Sequence, residues 1–415
     1  MDERRHHRMD RRTFLRRAAG TAVAVPSLSA ILAACAKPGQ LPAGVHLIHP
    51  ARQNAPVTLP TYDVQPVATD APIEKGATLQ VYNWADYYYK KTLKEFQALF
   101  NVKLEYTTFN NMEEGIQKIS SNQIQPDVFT TDIDKLNKLI EAKLLQPLNH
   151  ELIPNLQANI WPIYQNPFYD QGWRYTVPYV IWTTGIGYRR DKISDGEMAA
   201  AGYNILWDTK YQGKVGIYDD YRAALGMSLL KNGITDVNTG DEAKLKLAAD
   251  DLRLLLDSNN ARVTINGAYA LLPEGAIWAH QAWSGDMVGA QYYLPKGVST
   301  DVLGYWYPSD RAGNVNNDTM TIPANAQHPV LAHAFLNFML SKKYGFENFA
   351  NWVGYQPPQT SIKPATLIEA GVVPNKMPNA VVRQVDFSKG YLELELDRNT
   401  DQLWFDAWDE VTSGG

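Results

Sequence analysis

Aromatic and acidic side chains recur side by side along this chain, and together they could bind a cation. The 415 residues include 11 Trp and 23 Tyr. Faces of Trp and Tyr attract cations by roughly 0.5 to 2 kcal/mol each, and carboxylates accept charge-assisted hydrogen bonds from ammonium groups. An elongated ligand with ammonium groups separated by methylenes needs both kinds of side chain, aromatic rings along its methylenes and carboxylates at its charges. Three such clusters lie along the sequence: Trp84, Asp86 and Tyr87; Tyr218, Asp219, Asp220 and Tyr221; Trp283 and Asp286.

A second interpretation of these clusters is structural, because aromatic rings pack cores and Asp caps helices. It suffices for any single pair. Three pairs that recur at predicted loop positions favour a binding site.

Catalytic and metal-binding patterns are absent from the sequence. It has no His-Glu-x-x-His, no Gly-x-Ser-x-Gly, no pair of cysteines and no Gly-rich phosphate loop followed by Lys. His328 and His333 are five residues apart, a spacing that does not stack them on one helix face. Ser284 lacks an upstream glycine at the spacing of a nucleophile elbow. We therefore expect neither an enzyme nor a protein with a metal or cofactor.

Residues 1–35 have the pattern of an export signal. Arg11 and Arg12, with an apolar pair behind them, fit a twin-arginine signal, and Leu-Ala-Ala-Cys at 32–35 fits a cleavage box that ends in a lipidated cysteine. Cys35 is the only cysteine, so the chain holds no internal disulfide. We predict a lipoprotein that is exported to the periplasm or the outer face of the cell membrane.

The alternative interpretation of this segment is a membrane-spanning anchor. Residues 18–34 are apolar, but the run is alanine-rich and interrupted by Pro26, whereas a spanning helix needs about 20 strongly apolar residues.

The predicted signal also makes the net charge of the whole chain more positive than that of the remainder. The first 34 residues carry seven Arg against three acidic residues, and the remainder has 32 basic and 41 acidic residues, a net charge near −9. This balance disfavours nucleic acid as a partner and favours a cation.

The chain divides into the signal, a linker and a large body. Residues 36–76 contain seven of the 24 prolines and show no sustained apolar periodicity, which predicts an extended tether between lipid and body. About 340 residues remain, which suits two lobes better than one small core.

Strand and helix patterns alternate through the body, which predicts a largely parallel sheet. In open α/β sheets ligands bind beyond the carboxyl ends of the strands, so residues 83–87 and 130–132 should meet at one crevice. The predicted elements are strands at 79–83, 102–107 and 127–130, and helices around 93–100, 112–121, 245–256 and 331–339.

Six strings of residues follow one another along the body. They are Val-Tyr-Asn-Trp-Ala-Asp-Tyr (81–87), Val-Pro-Tyr (177–179) with Gly-Ile-Gly (185–187), Trp-Asp-Thr-Lys-Tyr-Gln-Gly-Lys-Val (207–215) before Tyr-Asp-Asp, Trp-Ser-Gly-Asp (283–286), Asp318 before Ile-Pro-Ala-Asn-Ala (322–326), and Gly-Tyr-x-Pro (354–357). In this order they resemble the spermidine/putrescine-binding proteins of bacterial ABC importers, over about residues 76–414.

The resemblance implies an α/β, two-lobed periplasmic-binding-protein fold, type II-like, with a ligand cleft between the lobes. It implies a first lobe at 77–184 and 319–365 and a second at 185–318 and 366–415. It also implies a monomer that contacts an ABC permease and touches the membrane only through its lipid. The ligand-binding residues that it carries over are Trp84, Asp86, Tyr87, Thr131 and Asp132 in the first lobe, Asp220, Trp283 and Asp286 in the second, and Asp318 on a crossover.

Two positions depart from the family pattern. Ala223 stands where the family often has a glutamate, three residues after Asp220, so one amine partner is missing. The residues that could replace it are Asp219, Glu393 and Glu395. Asn316 stands where some members have a Trp, two residues before Asp318, which removes a stacking surface. The length of the ligand therefore stays open.

From the sequence we expect the extracytoplasmic solute-binding subunit of an ABC importer, which binds a polyamine and performs no covalent chemistry. One alternative is a subunit of the same kind for an opine, a peptide or a sugar. Another is an exported enzyme, which substrate turnover would reveal. A third is a sensor or scaffold, which the absence of neighbouring permease and ATPase genes would indicate.

Overall fold

The computed structural model describes residues 49–62, 64–109 and 111–413, which lie in one compact unit. The strands are β1 (Thr78–Trp84), β2 (Lys103–Phe109), β3 (Val128–Asp132), β4 (Val177–Arg189), β5 (Val215–Ile217), β6 (Arg262–Val263), β7 (Ala279–Trp283), β8 (Leu303–Trp306) and β9 (Asn314–Thr321).

The α-helices are α1 (Lys90–Phe100), α2 (Met112–Ser120), α3 (Leu136–Glu141), α4 (Pro154–Ala158), α5 (Asp195–Ala201), α6 (Tyr221–Lys231), α7 (Glu242–Asn259), α8 (Ser284–Ala290), α9 (Pro329–Met339), α10 (Lys342–Asn348), α11 (Pro364–Glu369), α12 (Gln384–Lys389) and α13 (Arg398–Thr412). Short 3₁₀ and π segments join many of these elements.

The strands and helices predicted from the sequence are confirmed. The run at 79–83 is β1, and the apolar spacing at 245–256 is the buried side of α7. On that helix Leu245, Ala249 and Leu252 are buried, because residues three and four apart share one helix face. Leu254 lies on the opposite face and is exposed.

The strands of the described residues form one sheet in the order β2-β1-β3-β9-β4-β7-β5-β6, with β8 paired to β4. The pairs of β1 with β2 and β3 are parallel, and so are those of β5 with β6 and β7. The pairs that β4 and β9 make are antiparallel. The α/β class is confirmed, but the prediction of a largely parallel sheet is wrong at its centre. There the chain crosses the molecule on β4 and returns on β9, so these strands run in opposite directions.

Helices pack around each end of this sheet. We call β1–β3 with α1, α2, α3, α9 and α10 the first lobe, and β5–β8 with α6, α7, α8 and α13 the second lobe. In the first lobe the rings of Phe96 on α1 and Phe335 on α9 pack edge to face, with centroids 5.1 Å apart. In the second lobe Trp404 of α13 is fully buried in a cluster with residues of α6 and α7. The lobe boundaries implied by the resemblance stay a prediction.

The described residues between 49 and 76 run across the surface of the body. Leu59 is fully buried, and the Tyr175 hydroxyl donates a hydrogen bond to the Pro60 carbonyl at 2.7 Å. The Glu74 carboxylate accepts hydrogen bonds from two backbone N–H groups in the first turn of α9, where a negative charge is favourable. The predicted tether needs correction here, because this part of it buries side chains and bonds to the body.

The predicted signal, Cys35 and residues 36–48 of the predicted tether lie outside the described residues. The twin-arginine signal and the lipid anchor therefore stay predictions. Among the helices that the structure describes, none combines the length and the apolarity needed to cross a bilayer.

Candidate ligand-binding site

Strands β4 and β9 bring three predicted site residues to one face of the sheet. Asp132 at the end of β3 pairs with Asp318 on β9, and Trp283 at the end of β7 pairs with Thr184 on β4. Thr184 also pairs with Asn314, four residues before Asp318. Directly opposite residues of antiparallel strands share a face, and every second residue along a strand does so too. Asp132, Asp318 and Trp283 therefore point to the same side.

Asp318 is a buried carboxylate with an unmet hydrogen-bonding demand. It is 1% exposed, and its Oδ2 accepts a hydrogen bond from the Tyr87 hydroxyl at 3.1 Å. Its Oδ1 has no hydrogen-bond donor among the described residues. Burial, the neighbouring charge of Asp318 and a hydrogen bond between the two side chains raise the pKa of Asp132 well above its usual range. Burial raises the pKa of Asp318 to about 6, and the same hydrogen bond opposes that rise. Two carboxylates that face each other in this way attract a proton or a cation.

Two tyrosine hydroxyls hold Asp286. Tyr218 donates to Oδ2 and Tyr355 donates to Oδ1, each at 2.7 Å. Burial raises the pKa of Asp286 to about 6, although both hydrogen bonds act to lower it. Because both oxygens have a partner, Asp286 would act on a ligand through its charge.

Tyr87 lies among these carboxylates. Burial raises the pKa of its hydroxyl well above the usual range, and the charges of Asp318, Asp286 and Asp132 raise it further. Its ring packs against the ring of Tyr355, with centroids 5.4 Å apart. The structure therefore brings together four of the predicted residues, which are Tyr87, Asp132, Asp286 and Asp318.

Aromatic rings line the site from the second lobe and from β4. Trp283 stacks on Tyr218, with centroids 4.0 Å apart. Trp182 on β4 packs edge-on against Trp283 and Tyr355, with centroids 6.5 and 6.0 Å apart. The sequence analysis missed Trp182 and Tyr355 as site residues. Their positions in the sequence could have identified them, since Tyr355 lies inside Gly-Tyr-x-Pro and Trp182 lies three residues after Val-Pro-Tyr.

Trp182 supplies an aromatic ring close to the position where the resemblance had lost one. Trp182 is directly opposite Asn316 across β4 and β9, so both side chains point to the same face. The Asn316 amide donates to the carbonyl of Glu393 at 3.4 Å. Replacing a Trp by Asn316 therefore leaves an aromatic ring on this face, carried by the neighbouring strand.

Asp86 lies at the exposed rim, immediately after β1. Its φ is +60°, in the left-handed region that a non-glycine residue rarely adopts outside a turn. Burial, and then the charges of Asp286 and Asp86 among others, raise the pKa of the Tyr269 hydroxyl in the second lobe. Asp86 and Asp286 therefore act on the same ring from different lobes.

Trp84 and Thr131 make their contacts elsewhere. The Trp84 ring packs edge-on against Phe109, with centroids 4.7 Å apart, and Trp84 stays a predicted wall of the site. Thr131 is fully buried, and alternation along β3 turns its side chain to the face opposite that of Asp132. Its role as a ligand contact stays a prediction.

Asp220 has the structural role that the second interpretation of the clusters allowed. It caps the amino end of α6, where its Oδ1 accepts a hydrogen bond from the Ala223 N–H at 3.0 Å. Lys135 of the first lobe bonds the hydroxyl of the next residue, Tyr221, at 3.2 Å. Burial raises the pKa of Asp220, and the charge of Lys135 opposes that rise. The predicted amine partner is thus already bonded to a helix and lies near a cation of the protein.

The described residues contain no group of three or more His, Cys, Asp or Glu that could hold a metal ion. His328 Nδ1 lies 3.0 Å from the Asp127 carboxylate, and His333 Nδ1 lies 2.6 Å from the Pro329 carbonyl. Both histidines therefore have polar partners within the fold.

Residues 91–373 match the family model of bacterial extracellular solute-binding proteins. The chain belongs to this family. The spermidine/putrescine-binding periplasmic protein of Escherichia coli K12 is 25% identical to this solute-binding protein over 287 residues, which cover 69% of this chain and 79% of the relative. The putrescine/cadaverine-binding protein of Pseudomonas aeruginosa is 25% identical over 312 residues, which cover 74% of this chain and 86% of the relative.

A solved structure described as a putative spermidine/putrescine ABC transporter from Listeria monocytogenes has the same fold. Its TM-score is 0.67 at 24% identity, and the match covers 80% of this chain and 98% of that one. The predicted fold class, a two-lobed periplasmic-binding-protein fold, is confirmed.

Proposed function

We propose that this solute-binding protein is the extracytoplasmic subunit of an ABC importer and that it binds a polyamine, putrescine-like or spermidine-like, between its lobes. The observation that carries the proposal is the pair of facing carboxylates Asp132 and Asp318, in which Asp318 Oδ1 has no hydrogen-bond donor among the described residues.

An ammonium group matches this environment. It would lessen the repulsion between Asp132 and Asp318, and it would give Asp318 Oδ1 the donor that it lacks. The rings of Tyr87 and Tyr355 lie alongside, and aromatic faces stabilise both ammonium groups and methylenes. A neutral sugar would leave the buried charges unpaired, which is costly. The polyamine is therefore favoured over a sugar.

Closure of the two lobes would couple binding to transport. Tyr87 and Asp132 come from the first lobe, while Asp286 and Trp283 come from the second. A ligand that contacts both sets gains its full binding energy only in the closed form, so it shifts the equilibrium toward closure. A membrane permease would then recognise the closed protein. No step in this cycle makes or breaks a covalent bond, so we propose that the protein is not an enzyme.

The names of the relatives support this solute class. The Escherichia coli relative is named for spermidine and putrescine, and the Pseudomonas aeruginosa relative is named for putrescine and cadaverine. These matches cover 69% and 74% of this chain.

Titration calorimetry on the protein without its predicted signal tests this proposal. Putrescine and spermidine should bind saturably and should raise the melting temperature, because a ligand that binds only the folded state stabilises it. Butane-1,4-diol, which has the length of putrescine without its charges, should not bind. Binding of a sugar or an amino acid with no response to either amine would contradict the polyamine proposal.

We also propose that the protein is exported, works as a monomer and is held to the membrane by lipid on Cys35. The support is the Leu-Ala-Ala-Cys string after an apolar run. A Cys35→Ser variant should be processed differently from the parent and released into the soluble fraction. If the variant stays membrane-associated like the parent, the lipid anchor is wrong.

A further inference from the structure

Lys135 is a buried cation that reaches from the first lobe to the second. It lies three residues beyond the end of β3 and is 5% exposed. Its Nζ lies 3.2 Å from the Asp134 carboxylate and 3.4 Å from the Glu113 carboxylate. The same Nζ bonds the Tyr221 hydroxyl of α6 at 3.2 Å and stands 5.4 Å from the centroid of that ring. Lys135 thus has an aromatic face, a hydroxyl and two carboxylates around its charge.

These surroundings are the ones that a ligand ammonium would need at this end of the site. Tyr221 directly follows Asp220, the carboxylate that the resemblance implied as an amine partner. A lysine side chain is itself an alkylammonium chain, with four methylenes between the backbone and the charge. The ammonium group of Lys135 therefore lies beside the carboxylate at which the second lobe was expected to bind an amine, bonded to the residue that follows it.

The acidic residues Glu393 and Asp134, near Asp220, also have partners within the protein. Glu393 accepts a hydrogen bond from the Asn314 amide at 2.7 Å. Arg222 is 3% exposed and lies 3.9 Å from the Asp134 carboxylate, which thus has two cations nearby. Asp318 differs from this group, because its Oδ1 has no donor among the residues that the structure describes. The unmet demand for a hydrogen-bond donor therefore lies at Asp318.

Resting on the proposed polyamine binding, we propose that Lys135 fills the amine position at Asp220 and thereby restricts the site to a short diamine. A triamine whose third ammonium extended toward Asp220 would meet the like charge of Lys135, and such repulsion rejects a ligand even where its other contacts are good. Ala223 agrees with this role. The resemblance implies a glutamate at this position, so the chain lacks a carboxylate that a longer ligand could use.

The parent protein provides the first test, by calorimetry with putrescine, cadaverine and spermidine on the full mature chain. Both diamines should bind at least about tenfold more tightly than spermidine, a difference that calorimetry resolves easily. If spermidine binds as tightly as putrescine or more tightly, the role of Lys135 is overturned while polyamine binding stands. If no amine binds, the proposed function itself fails.

A Lys135→Met variant provides the second test, because Met removes the charge and keeps much of the length. The ratio of spermidine affinity to putrescine affinity should rise about tenfold. If Lys135→Met lowers the melting temperature too far for titration, Lys135→Gln serves instead, since its amide still donates to Asp134.

Lys138→Met is the matched control. Lys138 pairs with Asp401 at 2.7 Å, also between the first and second lobes, and it reaches Tyr221 only through Asp401, which accepts a hydrogen bond from the Tyr221 hydroxyl at 2.8 Å. In Lys138→Met, the ratio of spermidine affinity to putrescine affinity should stay within about twofold of the parent value. An unchanged ratio in the folded Lys135 variant, or an equal rise in the Lys138 variant, would show that Lys135 only joins the lobes.

Discussion

The hydroxyl of Tyr87 donates a hydrogen bond to Asp318 Oδ2 at 3.1 Å, across 231 residues of sequence. This bond joins the segment after β1 in the first lobe to the strand β9 that crosses between the lobes. The other oxygen of the same carboxylate has no donor among the described residues, and Asp132 lies opposite. A ligand ammonium at this point would contact the first lobe and the crossing strand together, which is why closure and binding are expected to depend on Asp318.

Asp318→Asn should abolish most polyamine binding. The change keeps the shape of the side chain and removes its charge, so an ammonium buried there would lose about 3 to 5 kcal/mol of binding, whereas a surface carboxylate would lose under about 1 kcal/mol. Calorimetry on the purified variant measures this directly. An affinity within about threefold of the parent would mean that Asp318 does not bind an amine.

The unliganded Asp318→Asn variant should be at least as stable as the parent, because the substitution also removes the repulsion between Asp318 and Asp132. Thermal melting without ligand checks this, and it separates loss of binding from loss of fold. Asp257→Asn is the matched control, since Asp257 is exposed on α7 and was not predicted to bind the ligand. Its polyamine affinity should equal that of the parent.

Polyamine affinity should fall as the pH is lowered through about 6. Burial raises the pKa of Asp318 to about 6 from an ordinary 3.8 and also raises that of Asp132, so at lower pH these groups take up protons in place of the ligand. The unliganded protein should change in the opposite direction. A carboxyl whose folded pKa is raised binds protons more tightly in the folded state, so stability rises as the pH falls from above 6 toward 3.8.

Melting curves with and without putrescine, recorded between about pH 7.5 and about pH 5, test both parts of this prediction. The putrescine-induced shift in melting temperature should shrink toward the acidic end, and in Asp318→Asn that dependence on pH should be weaker. If the melting-temperature shift caused by putrescine is constant across this pH range, protonation of Asp318 and Asp132 does not compete with putrescine binding.

Removing an indole from the site should weaken polyamine binding by about 1 to 3 kcal/mol, the sum of lost stacking area and cation–π attraction. We expect this for Trp283→Ala and for Trp182→Ala, and we expect saturating polyamine to change the tryptophan emission of the parent. Trp278→Ala is the control, because Trp278 immediately precedes β7 whereas Trp283 ends it. Unchanged affinity in both site variants would remove the aromatic wall from the proposal.

Local patterns in the sequence predicted the elements of the fold and the carboxylates at strand ends, because strand alternation and helix periodicity are short-range properties. The partners of those carboxylates were not predictable in this way. Trp182 and Asn316 become neighbours only when β4 pairs with β9. Lys135 contacts Tyr221 across 86 residues. The role of Asp220 as a helix cap was also ambiguous, since the same side chain can cap a helix or bind an amine.

Tyr355→Phe should destabilise the protein and weaken ligand binding, although the ring and its packing remain. The hydroxyl of Tyr355 donates to Asp286 Oδ1, and without it a buried carboxylate oxygen loses its partner, which costs about 1 to 3 kcal/mol. Urea unfolding at neutral pH measures the loss. Because a protonated Asp286 needs less compensation than an ionised one, the loss should be smaller below the pKa of about 6 of that group.

Tyr218→Phe removes the donor to the other oxygen of Asp286 and should lower the stability in the same way. The double variant should then cost a different amount from the sum of the two, since both hydroxyls serve one charge. Strict additivity, or no loss of stability in either variant, would show that the two hydroxyls do not stabilise the charge of Asp286.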